Sequence, residues 1–196
     1  MLNKLLLKAS NLIFAVMASV ILHVALPNLA RADFRVQNQN GEEKDLQRDI
    51  IQDGPVIVNF VYTRCEGVCP GQGQRFKMIQ SLLEKRSDGE KVKLISISID
   101  PERDSPADLK RWGETYNAGK NWTLLVTDRK STDLICKEIL GMSLSSIEHS
   151  PYVAIRDRSG KWQSLYGLSS PKEILKRFDD AQNINPISMR VNHESR

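Results

Sequence analysis

The chain reads as an α/β domain, a central mixed sheet flanked by helices, on three observations. Short and nearly continuous apolar runs at residues 56–62, 92–99 and 122–126 have the length of buried strands. The stretches between them carry apolar residues at helical spacing: Phe76, Ile79 and Leu83 in one, Leu109, Trp112 and Tyr116 in the next. Near the end, residues 152–155 and 162–166 flank Asp157-Arg158-Ser159-Gly160, a turn-rich stretch that reads as a β-hairpin.

Taken in order, residues 34–36 and a short partner near 44–46, joined through Gly41, predict an added N-terminal β-hairpin. The strand at 56–62 runs into a helix over 70–85. The strand at 92–99 is followed by a helix with Ser105 as cap, Pro106 in its first turn and Asp108 three residues after the cap. After the strand at 122–126 comes a helix over 132–140, stopped by Gly141. The last helix opens at Ser170-Pro171, with Glu173 placed to close a capping box, and buries Ile174, Leu175 and Phe178. Parallel strands first and an antiparallel edge last make a thioredoxin-like arrangement. In open α/β sheets of this kind, loops at the C-terminal ends of strands carry the ligands.

Residues 1–32 stand apart as a cleaved secretory signal peptide. Lys4 and Lys8 form a positive start, residues 12–26 an apolar stretch, and Ala30-Arg31-Ala32 a small-residue cleavage pattern. The apolar run, interrupted by His23, is shorter than the ~20 residues a spanning helix needs. No cysteine precedes Cys65, so no lipidated N-terminal cysteine is expected. The expected location is the periplasm, with a membrane-anchored form as the rival. Residues 33–181 then make one domain and 182–196 a polar tail. Residues 1–32 hold three basic residues, Lys4, Lys8 and Arg31, and no acid, so the net charge of +4 falls to +1 on processing. A nearly neutral exported domain gives no electrostatic ground for nucleic-acid or anionic-lipid partners.

The chemistry lies in Tyr62-Thr63-Arg64-Cys65-Glu66-Gly67-Val68-Cys69-Pro70, where a buried strand delivers two thiols to the start of a helix. Free N–H groups there favour negative charge, so thiolates form more readily. Three residues separate the cysteines, which shifts the expectation from pure disulfide exchange toward metal capture, although an oxidising compartment also permits a Cys65–Cys69 disulfide. Cys136 has Ile139 and Leu140 at helical spacing and reads as a small core residue rather than a redox partner. His149 sits just before the strand at 152, the segment that faces the active loop in this fold. Two thiolates and an imidazole form a soft set suited to Cu(I) and, with a further ligand, Cu(II). Zinc is the second metal considered, but a structural zinc site wants four protein ligands.

The order of these motifs resembles the Sco/SenC family. Phe60-Val61-Tyr62-Thr63 precedes Cys-x-x-x-Cys-Pro, Ser98-Ile99-Asp100-Pro101-Glu102-Arg103-Asp104-Ser105-Pro106 follows, and His149-Ser150 stands before a strand. The resemblance implies a thioredoxin-fold protein that delivers copper to the copper-A centre of cytochrome c oxidase or a similar copper enzyme. It implies Cys65, Cys69 and His149 as copper ligands and Asp100 as a residue that shapes the site. Further implied partners are a copper donor or a periplasmic thiol reductant. Arg103 and Asp104 read as ordinary turn and cap chemistry. The chain departs from the family pattern in three places. Glu66 lies between the thiols, Gly71 and Gly73 loosen the first helical turn, and Pro151 stands two residues after His149. Ser150-Pro151 aligns in element order with the cis-proline of thioredoxin, so a cis bond is an expectation set against the general preference for trans.

Three functions from different classes remain. A metallochaperone uses all three ligands. A thiol-disulfide oxidoreductase that reduces the target's copper-ligand cysteines needs only Cys65 and Cys69. A peroxidase would use one cysteine with Arg64 or Arg75 and leave the second thiol and His149 unexplained.

Overall fold

The computed structural model describes residues 34–52, 54–147 and 150–182. The signal-peptide segment, His149 and the tail beyond Gln182 lie outside the described residues.

One seven-stranded sheet organises the chain. Its strands are β1 (Arg35–Asn38), β2 (Glu43–Asp45), β3 (Val56–Val61), β4 (Lys93–Ser98), β5 (Trp122–Val126), β6 (Tyr152–Arg156) and β7 (Trp162–Tyr166). They lie in the order β2-β1-β5-β4-β3-β6-β7. β3, β4 and β5 run parallel, whereas β6 is antiparallel to β3 and β1 antiparallel to β5. The N-terminal hairpin therefore extends the sheet rather than standing off it. The helices are α1 (Cys69–Leu83), α2 (Pro106–Thr115), α3 (Arg129–Leu140), α4 (Leu144–Ile147) and α5 (Pro171–Gln182).

The two faces of the sheet explain the apolar pattern. Along β3, Ile57 and Val61 point to one core with Phe76 and Ile79 of α1, Leu109 and Trp112 of α2 and Ile174 and Phe178 of α5. Val56, Val58 and Phe60 point to the other, under α3, α4 and a π-helical turn at Leu46–Ile51. With both faces covered, β3 is buried at all six positions, as central parallel strands are. None of the helices among the described residues is long and apolar enough to cross a membrane.

Several boundaries differ from the sequence expectation for identifiable reasons. α3 begins at Arg129, earlier than 132, because the Asp128 side chain accepts the Ser131 N–H and caps the helix there. Gly141 ends it in the left-handed region at φ 69°. At α2 the box formed by Ser105 and Asp108 is present. At α5, Ser170 Oγ accepts the Glu173 N–H at 3.2 Å, but the Glu173 carboxylate faces Arg177 Nε at 3.3 Å. α5 also runs to Gln182, whose side-chain amide donates to the Arg156 carbonyl, so that residue belongs to the fold rather than to the tail.

The Ser150–Pro151 bond is trans, since no cis peptide occurs among the described residues. The chain needs no cis bond to turn here. Ser150 N–H closes a turn on the Ile147 carbonyl at 3.0 Å, and the Pro151 carbonyl accepts the Gly167 N–H at 2.9 Å. Both contacts leave the ordinary trans preference in force.

Candidate metal and thiol site

β3 ends at Val61, and the next seven residues cross the C-terminal edge of the sheet to α1. The Cys65 N–H turns back onto the Tyr62 carbonyl at 3.3 Å. α1 starts at Cys69 after Val68, which provides no capping side chain. Orphan N–H groups at such a start need an acceptor, and the Cys69 N–H finds the Cys65 sulfur at 3.4 Å. Sulfur takes the place of the usual oxygen cap. Both residues are free thiols in this structure.

The two sulfurs have opposite electrostatics. Burial pushes the half-buried Cys65 thiol upward, but hydrogen bonds from the Cys69 thiol, the Cys69 N–H, the Tyr62 hydroxyl and the Gly67 N–H outweigh it. The net shift is below the ordinary value. Cys69, 2% exposed, is pushed up to about 12 by burial, by its bond to Cys65 and by the nearby charges of Cys65 and Asp104. Tyr62 rises to about 12, chiefly through the hydrogen bond it donates to Cys65 and then through burial. One sulfur is thus accessible and readily ionised, and the other is sheltered and protonated.

Asp100 sits where the Asp-Pro loop leaves β4. Its N–H donates to Ser98 Oγ at 3.2 Å, and its carbonyl accepts the N–H groups of Arg103 and Asp104. Asp100 Oδ2 lies 2.8 Å from Arg103 Nε, an ion pair in which no N–H points squarely at the oxygen, so that buried atom keeps a spare acceptor. Its charge adds to the rise of the Tyr62 hydroxyl.

Asp104 overturns its sequence reading. The cap of α2 is Ser105, and the Asp104 carboxylate instead crosses to the cysteine loop. Its oxygens accept from the Thr63 hydroxyl at 2.6 Å, from the Thr63 N–H at 3.2 and 3.1 Å and from the Ser98 hydroxyl at 2.6 Å. Its only local context is Ser105-Pro106, the start of α2, which points to a cap rather than to the cysteine loop. Its partner, 41 residues away, is invisible to local pattern.

The glycines are corrected as well. A Cβ at Gly73 would stand 2.5 Å from Tyr116 Cε2, so the residue is there to admit the ring, whose centroid lies 4.5 Å from that of Trp112 in a tilted contact. Gln72, between the glycines, donates from Nε2 to the Phe60 carbonyl at 3.2 Å and keeps a buried, unpartnered Oε1. That oxygen would lie 3.2 Å from a Cβ at Gly167, and the Pro151 carbonyl carbon 3.0 Å from the same point. The first turn of α1, Gly167 and Pro151 are thus packed together.

Of the site residues expected from sequence, Cys65 and Cys69 are brought together, with Tyr62 and Asp100 beside them. The β3/β6 register, Asn59 opposite Val153, brings Ser150 and Pro151 to the same end of the sheet as Tyr62. His149 itself lies outside the described residues. Among the described residues no group of three His, Cys, Asp or Glu is arranged to hold a metal. Cys136 is fully buried under the opposite face of the sheet, its thiol pushed up to about 12 by burial. Glu66 and Arg64 are exposed. Arg75 donates to the carbonyls of Leu168, Ser169 and Gly71, fixing the β7–α5 loop against α1. That engagement leaves it a structural role rather than the thiol partner a peroxidase needs.

The family model described as SCO1/SenC matches residues 25–180. A SCO1 protein homolog of Bacillus subtilis is 26% identical over 151 residues, covering 76% of this chain and 74% of the relative. A SCO2-like protein of Rickettsia felis is 27% identical over 155 residues, covering 74% and 73%. Among solved structures, yeast Sco1 with copper bound superposes with a TM-score of 0.63 at 19% identity, covering 81% of this chain and 96% of that one. Bradyrhizobium japonicum ScoI with copper bound gives 0.58 at 21%, covering 76% and 98%. BsSco, described as a Sco-family cytochrome c oxidase assembly protein with a disulfide switch, gives 0.64 at 21%, covering 79% and 94%. At these identities the structures establish the shared fold.

Proposed function

The chain belongs to the SCO1/SenC family, and from that premise we propose that it is a periplasmic copper metallochaperone. It holds copper through Cys65, Cys69 and His149 and passes it to the copper-A subunit of a cytochrome c oxidase or a similar copper enzyme. The observation that carries this reading is the meeting of Cys65 and Cys69 at the start of α1, where the Cys69 N–H lies 3.4 Å from the Cys65 sulfur. Two sulfurs and one imidazole are a soft, low-coordinate set, which favours Cu(I) over zinc.

Copper is cargo here, and the asymmetry of the thiols suits its transfer. Cys65, at the surface, exchanges first with an incoming acceptor ligand, while Cys69, sheltered, retains the ion until the acceptor has closed around it. Asp100 shapes the loop opposite Tyr62, and Pro151, packed with Gly167 against the first turn of α1, supports the site from the β6 side.

The same asymmetry favours a second reading, thiol-disulfide exchange with the acceptor's cysteines. The Cys65 thiolate attacks one sulfur of a target disulfide and the other leaves as a thiolate. Cys69 gives up its proton and attacks Cys65, leaving a Cys65–Cys69 disulfide and a reduced target dithiol. Copper titration of the reduced protein separates the two. One equivalent should bind, Cys65→Ser or Cys69→Ser should abolish loading, and His149→Ala should weaken it while the disulfide still forms. Full loading of Cys65→Ser would sink the copper assignment, and an unchanged metal spectrum in His149→Ala would make the oxidoreductase the leading reading.

A further inference from the structure

A carboxylate taken out of water is costly unless a cation or several hydrogen bonds offset the loss. Asp104 is 5% exposed. The nearest arginine in sequence, Arg103, is committed to Asp100, and among the described residues Asp104 has no ion pair. Hydrogen bonds alone hold it, and their donors come from two separate loops. Thr63, two residues before Cys65, contributes its hydroxyl and its N–H. Ser98, at the end of β4, contributes its hydroxyl while accepting the Asp100 N–H. One carboxylate therefore fastens the start of the cysteine loop to the start of the Asp-Pro loop, close enough to Cys69 for its charge to act there.

We propose that Asp104 is a positioning residue for the sulfur site, setting through Thr63 where Cys65 stands opposite Cys69, with its unpaired charge compensated by the cation those sulfurs bind. The charge-compensation half rests on the copper reading above, and the positioning half stands without it. Between Thr63 and Cys65 there is only Arg64, an exposed residue. The Cys65 backbone is otherwise tied by the 3.3 Å bond from its N–H to the Tyr62 carbonyl, and its sulfur by the Cys69 N–H at 3.4 Å, so freeing Thr63 loosens the backbone that sets where Cys65 stands. A neutral amide at position 104 keeps the shape and an acceptor while removing the charge and one of its two acceptor oxygens.

The test compares the full-length chain with Asp104→Asn, Thr63→Val, their double variant and Thr63→Ser. Cu(I) affinity is read by competition with a chromogenic chelator and the rate of Cys65 alkylation by mass spectrometry. Hydrogen bonds to a charged group imply that Asp104→Asn weakens copper by about 10-fold or more. Thr63→Val should act in the same direction, and Thr63→Ser should restore affinity. Because the two residues act through one contact, the double variant should bind no more weakly than the worse single variant. Cys65 alkylation should change several-fold relative to Cys69 in both singles. A merely structural role would lower the melting temperature while leaving the Cys65-to-Cys69 alkylation ratio and the sulfur-to-copper absorption bands unmoved. Unchanged affinity and alkylation in a folded Asp104→Asn, or additive losses in the double variant, overturns the proposal. Should Asp104→Asn fail to fold, Thr63→Val decides by the same two measurements. If the wild type binds no copper, the copper reading and the charge-compensation half fail. The alkylation ratio then decides the positioning half alone.

Discussion

Gly73→Ala is expected to destabilise the protein by about 2 kcal/mol, although it replaces glycine in a helix. Propensity alone predicts the opposite, a gain of up to ~1 kcal/mol. Against it stands the ring of Tyr116, whose Cε2, Cζ and Cδ2 would lie 2.5, 2.6 and 2.8 Å from the new methyl group. That ring cannot simply retreat. Trp112 packs against it in a tilted contact at 4.5 Å and meets Trp122 edge-on at 6.1 Å, and Trp122 lies 5.6 Å from Phe76. Overpacking a well-filled core costs ~1–3 kcal/mol, and a rigid ring packed against Trp112 belongs at the upper end, which leaves the net loss. In a domain of this size that lowers the melting temperature by about 4–8 °C. Gly71→Ala is the control. Its methyl would meet Arg75 Nη1 at 3.3 Å and Leu168 Cδ2 at 3.4 Å, which need give way by only a few tenths of an ångström, although Arg75 is hydrogen-bonded there, so the helix-propensity gain of up to ~1 kcal/mol is offset and the loss should be far smaller than for Gly73→Ala. Urea unfolding of both variants, and of Gly73→Ala combined with Tyr116→Leu, measures the difference. The reasoning is refuted if Gly73→Ala is as stable as wild type, or if removing the ring fails to recover part of the loss.

Other consequences can be measured directly. Cys136→Ser should leave copper loading intact, because that thiol lies under the opposite face of the sheet; a large loss would contradict its placement. Cys69 and Cys136 are both pushed from an ordinary 9.0 to about 12 in the folded chain, so their contribution is fully present below pH 9 and is lost as pH rises through 12. In the copper-free reduced protein, stability should therefore fall faster with pH over that window in the wild type than in Cys136→Ser. Equal slopes would mean that Cys136 is not desolvated. Cys65, shifted the other way, should react with iodoacetamide at a lower pH than an ordinary cysteine, and a rate midpoint at or above the ordinary value would contradict the four hydrogen bonds assigned to it. Processing should leave Asp33 as the first residue, and Ala32→Phe should block it; N-terminal sequencing that found Met1 on the native protein would favour a tethered domain.

Legibility followed the range of the interactions. The strand at Trp122–Val126 was readable to the residue because its apolar run is bounded on both sides by polar residues. α2 was equally clear, since Ser105, Pro106 and Asp108 are a local start signal. The π-helical turn Leu46–Ile51 was not, because six residues carry too little period to register. It folds over only because Asp45 accepts the Arg48 N–H and Leu46, Ile50 and Ile51 find the core beneath β3 and β4. Gly73 and Asp104 were misread for one reason. Each has a sufficient local explanation, helix loosening for one and a turn for the other. Each answers in fact to a residue about forty positions away, Tyr116 and Thr63.

The sulfur pair itself was legible because its chemistry is local, and the three-residue spacer accounts for its asymmetry. With Glu66, Gly67 and Val68 between the thiols, the first cysteine stands ahead of the helix, in the place of a cap, and the second is its first residue. The Gly67 and Cys69 N–H groups then converge on one sulfur. Cys69 has a single backbone donor, the Tyr62 N–H, which burial outweighs, and it lies in the core that includes Trp112 and Tyr116. A two-residue spacer would remove one residue from the loop that makes this convergence. The arrangement separates the two tasks of a carrier, because a sulfur stabilised as thiolate at the surface can exchange ligands while a sheltered one retains the ion. Deleting Gly67 should therefore equalise the alkylation rates of the two cysteines. Retention of a fast Cys65 and a slow Cys69 in the shortened loop would show that burial of Cys69 alone, and not the cap-like placement of Cys65, creates the difference.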